Sequence, residues 1–116
     1  MNLLTEREYY KPFNYPWAFE HYKTQQHMHW LPDEVNLADD LRDYREKLTP
    51  GNRQLINQIF RFFTQADVDV CCGYAKHYLP TFKQPEVRMM LSAFAAMEAV
   101  HQEAYSLLLE TLGFSD

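Results

Sequence analysis

The chain has 116 residues, suited to one small domain, and 47% of them are apolar, enough for a core of its own. Its net charge of -5 gives nucleic-acid binding no electrostatic footing. No apolar run approaches the length of a membrane span, and the N-terminus Met1 to Tyr10 is polar rather than a signal peptide, so a cytoplasmic protein without membrane contact is expected.

Residues Met1 to Pro16 show no helical period and carry Tyr, Phe, Asn and two prolines, which predicts an irregular arm lying over another surface. A short helix is expected over Trp17 to His27, and the Trp30-Leu31-Pro32 step then interrupts helical geometry. Residues 1–36 therefore read as an arm with one short helix, and 37–116 as helices. Leu37 to Leu48 makes the next of these, its charge run (Asp39, Asp40, Arg42, Asp43) being a solvated face. Thr49-Pro50 has the form of a helix start, a capping hydroxyl followed by proline in the first turn. A long helix follows to about Leu79, where Pro80 is expected to end it. Pro85 and Glu86 open a second long helix, with proline at the first position and the acid favoured by the macrodipole. It runs to about Leu112, with Gly113 as its left-handed terminator. The pair predicts an all-α fold built on one long αα-hairpin, half of a four-helix bundle.

The second long helix places Glu98, His101 and Tyr105 at i, i+3 and i+7, one stripe of a helix. Leu91, Phe94 and Ala95 precede that stripe and Leu108, Leu109 and Leu112 continue it, so it is expected to face the interior, where an unpaired charge costs several kcal/mol. A cation removes that cost, and Glu-x-x-His on a bundle helix is the pattern of di-iron carboxylate proteins. On the first long helix Asp67 has Phe60, Phe63, Cys71 and Tyr74 at i−7, i−4, i+4 and i+7 and is expected to point inward. Asp69 shares its face with Phe62, Gln65 and Lys76 and is expected to reach water. An Asp, a Glu and a His converging from two helices would form half a binuclear site of hard oxygen donors with one imidazole, suited to iron or manganese. Tyr105 itself reads as a core phenol among Phe94, Leu108 and Leu109. Cys71 and Cys72 are adjacent, poorly placed for a mutual bridge, and read as small core residues. Tyr74, His77 and Tyr78 read as core and helix-end residues. His27 and His29 have no convergent acid or cysteine and do not suggest a metal site.

Together these residues resemble the N-terminal part of a class I ribonucleotide reductase small subunit, the radical-generating β chain. Thr64-Gln65-Ala66-Asp67 is similar to the segment that supplies that family's first aspartate ligand, Glu98-Ala99-Val100-His101 to its first Glu-x-x-His, and Trp30-Leu31-Pro32-Asp33-Glu34-Val35 to its Trp-x-Pro-x-Glu-Val block. The resemblance implies a ferritin-like bundle in which Asp67, Glu98 and His101 hold part of a centre of two iron ions, or manganese. Dioxygen and that centre would make a tyrosyl radical on Tyr105, with Trp30 as electron relay, for the reduction of ribonucleotides to deoxyribonucleotides. It implies as partners a large catalytic subunit and a second small subunit.

The resemblance stops at Asp116, before the family's further two glutamates and histidine, its relay aspartate and its docking tail. The chain is accordingly expected to be a fragment, a split-gene product or a cleaved form that needs a complementary chain carrying the C-terminal half. Two other readings stay open: a hairpin that self-assembles around metal, with two copies supplying two Asp, two Glu and two His, and a non-catalytic helical interaction module.

Overall fold

The computed structural model describes residues 2–113, and every regular element among them is helical. Helix α1 spans Pro16–His27, a single 3₁₀ turn Pro32–Glu34, α2 Ala38–Glu46, α3 Pro50–Gly73, a π-helical turn Tyr74–Tyr78, α4 Leu79–Thr81 and α5 Pro85–Thr111. The expected starts are in place. The Asn52 amide donates to Thr49 Oγ1 at 3.1 Å, capping α3 in front of Pro50. Pro85 opens α5, and Gly113 closes it with φ 99°. Helix α2 is shorter than the sequence period suggests and stops at Glu46.

Helical structure does not end before Pro80; it continues to Thr81. Proline lacks an amide and its ring crowds the carbonyl four residues back. The π turn just ahead of it shifts the register: Leu79 N–H donates to Tyr74 O, one residue further back than in an α-helix. Thr81 Oγ1 donates to His77 O, and Arg88 Nε donates to the carbonyls of Leu79 and Phe82 at 3.1 and 3.0 Å. The carbonyls that a broken helix leaves over are thus met by side chains.

The chain divides into two compact units. The first joins Met1–His29 to Asp69–Glu98. Its core is Ala18, Val87, Met90 and Leu91, with Tyr15, Tyr22, Tyr74, Leu79, Phe82 and Phe94 packed around it. The arm is fastened by a buried ion pair that the sequence did not announce. Arg7 Nη2 stands 2.7 Å from Glu86 Oε1, with both side chains fully buried. Arg7 also donates to Gln84 Oε1 and to the carbonyls of Tyr9 and Tyr10. Glu86 accepts in addition from the backbone amides of Asn14 and Tyr15 at 2.8 and 3.1 Å. Glu86 is therefore not a solvated acid on a helix end. Burial pushes its carboxyl pKa up, but the Arg7 guanidinium and the backbone amides outweigh this and hold it below the ordinary range.

Not all the expected core residues are inside. Cys72 is exposed, and Cys71 is half-buried with its thiol donating to Ala95 O at 3.6 Å. Tyr78 is 50% exposed and His77 is exposed, while Tyr74 is half-buried. Helical spacing puts residues on a common face, but it does not say how wide the covered part of that face is.

The second unit joins Trp30–Val68 to Ala99–Asp116. Tyr44 on α2 donates its hydroxyl to Oδ1 of the buried Asn57 on α3 at 3.1 Å. Arg53 donates to the carbonyls of Tyr44 and Arg45 at 3.0 and 2.6 Å, tying the end of α2 to the start of α3. The ion pairs Arg42–Asp39 and Lys47–Asp43 lie on the wet side of α2 and contribute little. In this unit α3 leaves Leu55 and Phe62 exposed at 57 and 68%. No helix among the described residues is long and apolar enough to cross a membrane.

Candidate metal centre

Helix α5 is unbroken from Pro85 to Thr111, so Glu98 stands one turn ahead of His101 on the same side of one helix. His101 and Asp67 both belong to the second unit, and Glu98 is the residue that adjoins that unit along α5. Asp67, Glu98 and His101 each offer one ligand atom, and the three atoms lie within 4.8 Å of one another. All three residues are half-buried. Gln102 Nε2 donates to the Asp67 carbonyl at 3.3 Å, a cross-link between α3 and α5 at this level of the second unit. Asp69, two residues on, is exposed.

Asp67 Oδ2 is buried and has no hydrogen-bond partner. A buried carboxylate oxygen without a donor costs about 1–3 kcal/mol, more when charged. A cation is the one common partner that would serve all three ligand atoms at once. Two carboxylates and an imidazole suit iron or manganese in particular, and soft thiol donors are not part of the group. The residues present therefore fit a hard divalent metal.

The second unit also contains the two aromatic residues singled out above. Trp30 and His101 have ring centroids 6.3 Å apart at an interplanar angle of 34°. Tyr105, one turn beyond His101, packs against two rings of α3, Phe60 at 6.0 Å and Phe63 at 5.6 Å. Phe94, expected beside Tyr105, belongs to the first unit, where its ring lies 6.3 Å from that of Tyr74. A cavity of about 370 Å³ opens in the second unit between Trp30, Pro32, His101, Tyr105 and Leu108.

Tyr74 is the residue of this neighbourhood that sequence reasoning passed over. Burial raises its phenol pKa, and the charge of Glu98 and then the neighbouring Tyr78 raise it further. The signal was present in its i+7 spacing from Asp67, but a tyrosine at that spacing reads equally well as core.

The family profile of the ribonucleotide reductase small chain matches residues 7–116. The chain belongs to that family. As a small-chain family member it is 50% identical over all its 116 residues to a probable ribonucleoside-diphosphate reductase small subunit of Invertebrate iridescent virus 6, covering 32% of that protein. It is 45% identical over the same length to a probable counterpart of Invertebrate iridescent virus 3, covering 31% of it. A ribonucleoside-diphosphate reductase small chain of Arabidopsis thaliana is 34% identical over 100 residues, 86% of this chain and 30% of the plant protein. The chain spans about a third of the length of the curated relatives it matches.

Proposed function

We propose that this chain supplies the N-terminal part of the metal and radical site of a ribonucleoside-diphosphate reductase small subunit. The observation that carries the reading is the buried, partnerless Asp67 oxygen within a cluster of three ligand atoms spanning no more than 4.8 Å. Asp67, Glu98 and His101 are its metal ligands, and a complementary chain with a second Glu-x-x-His and one further Glu completes the set. When bound, two iron or manganese ions together with dioxygen supply a one-electron oxidant.

The protein's own groups then do the following. Asp67 and Glu98 offset the positive charge of the metal, and His101 contributes a neutral nitrogen donor. Tyr105 gives up one electron and its phenolic proton and keeps the resulting radical. Phe60 and Phe63 of α3 pack against its ring and hold it in place. Trp30, with its ring near that of His101, passes electrons between the metal site and the catalytic large subunit, which reduces ribonucleotides to deoxyribonucleotides. The assembly works in the cytoplasm as a dimer of small subunits bound to the large subunit.

Co-expression with a chain bearing the second Glu-x-x-His tests this. A complex that holds about two metal ions per site and shows a tyrosyl radical signal in electron paramagnetic resonance is expected, and Tyr105→Phe should remove the signal. A signal that survives Tyr105→Phe would overturn the radical assignment.

A further inference from the structure

The Tyr74–Tyr78 pair lies on the π-helical turn of the first unit, which also holds Glu98. Three observations in the first unit bear on it. The Tyr74 and Tyr78 rings are 5.6 Å apart in edge-to-face arrangement, an aromatic contact. Tyr74 is half-buried and its ring lies 6.3 Å from Phe94, which is one helical turn before Glu98 on α5. Tyr78 is 50% exposed, so the pair runs from the interior to water within one turn of chain. A surface tyrosine with no further contact would be unremarkable. A tyrosine whose ring abuts a second phenol, itself packed one turn from a metal-ligand position, is a route for charge.

We infer that Tyr74 and Tyr78 form an oxidant outlet, a second phenol pair that carries an oxidising equivalent from the Glu98 side of the site to solvent when Tyr105 does not take it. The inference rests on the metal-site reading above, and the oxidant is the one-electron oxidant which that reading supplies. One electron passes from Tyr78 through Tyr74 to the oxidant, which is reduced by one electron. The Tyr78 hydroxyl loses its proton to bulk water, leaving a phenoxyl radical at the surface, and Tyr74 ends as it began. A small-molecule thiol then donates a hydrogen atom to Tyr78, restoring the phenol, and two thiyl radicals combine to a disulfide. The half-exposed position of Tyr78 suits this last step, since the reductant has to reach it.

The experiment maps where a nitroso spin trap attaches, by peptide mass spectrometry of the full chain. In one arm the metal-free chain is illuminated with a soluble ruthenium photo-oxidant. Adduct is expected on Tyr78 and not on Tyr74, and in Tyr78→Phe it should move to Tyr74. A Tyr74 adduct as strong in the wild type as in Tyr78→Phe would show that Tyr78 does not drain the inner ring and would overturn the outlet. In the other arm ferrous iron and air are added to the Tyr105→Phe chain co-expressed with the complementary chain. Labelling of Tyr78 is expected, and Tyr74→Phe should reduce it to background with bound iron unchanged. Persistence of the Tyr78 label in that variant would overturn the outlet as well. Failure of that complex to take up iron would refute the metal-site reading instead, and the photochemical arm would still decide whether the two phenols are coupled.

Discussion

Replacing Arg7 by Met removes the cation from a fully buried pair and leaves Glu86 behind. The loss comprises two hydrogen bonds to the Glu86 carboxylate, one to Gln84 and two to the carbonyls of Tyr9 and Tyr10. Breaking a buried pair from one side typically costs about 3–5 kcal/mol. Here the backbone amides of Asn14 and Tyr15 still face the carboxylate, and it sits in the first turn of α5 where the macrodipole favours an anion. The expected loss is therefore near the lower end, about 3 kcal/mol. The pH dependence follows from the direction of the Glu86 shift. In the wild type the folded-state pKa is lowered, so the pair's contribution is complete above the ordinary glutamate range and is lost as pH falls through the folded value. In Arg7→Met burial is left to act with less opposition, the folded pKa rises, and protonation relieves the penalty. The stability gap between the two proteins should thus narrow on acidification. Urea denaturation at neutral and mildly acid pH reads it directly. A gap within about 0.5 kcal/mol at neutral pH, the range of ordinary surface substitutions, or one that widens in acid, would refute the account of the pair.

Two further outcomes follow from the second unit. Asp67→Asn should make the metal-free chain more stable, because the buried group without a partner is then neutral and costs less to desolvate than a charged oxygen. Manganese at about a hundred times its dissociation constant should reverse the order, since it adds about 2.7 kcal/mol to the wild type alone; thermal unfolding with and without metal checks both signs. Tyr44→Phe should cost about 1–3 kcal/mol in urea denaturation, because it strips the donor from the buried Asn57 oxygen.

Much of the helical plan was legible because its signals are local. Thr49-Pro50, Pro85 and Gly113 mark helix ends by the chemistry of a few adjacent atoms, and each stands where that chemistry predicts. The contrast between Asp67 and Asp69 was also legible, since their different neighbours at three, four and seven residues give one a covered face and the other a wet one. The Arg7–Glu86 pair was not, because its partners are 79 residues apart and each alone resembles a surface charge. Pro80 misled because a proline's effect depends on whether the turn before it can add a residue, and the π turn does so. The exposure of Cys72 was hidden for a related reason: the helical period tells which residues share a side, not what lies against it.

The central claim is that Asp67, Glu98 and His101 are held together to bind a cation. A manganese(II) titration followed by electron paramagnetic resonance tests it most directly, on the wild-type chain and on Glu98→Gln, with circular dichroism to show that both are folded. The account predicts that the free-ion signal is taken up by the wild type and stays free with the variant. Equal uptake by both, or none by either, would contradict it.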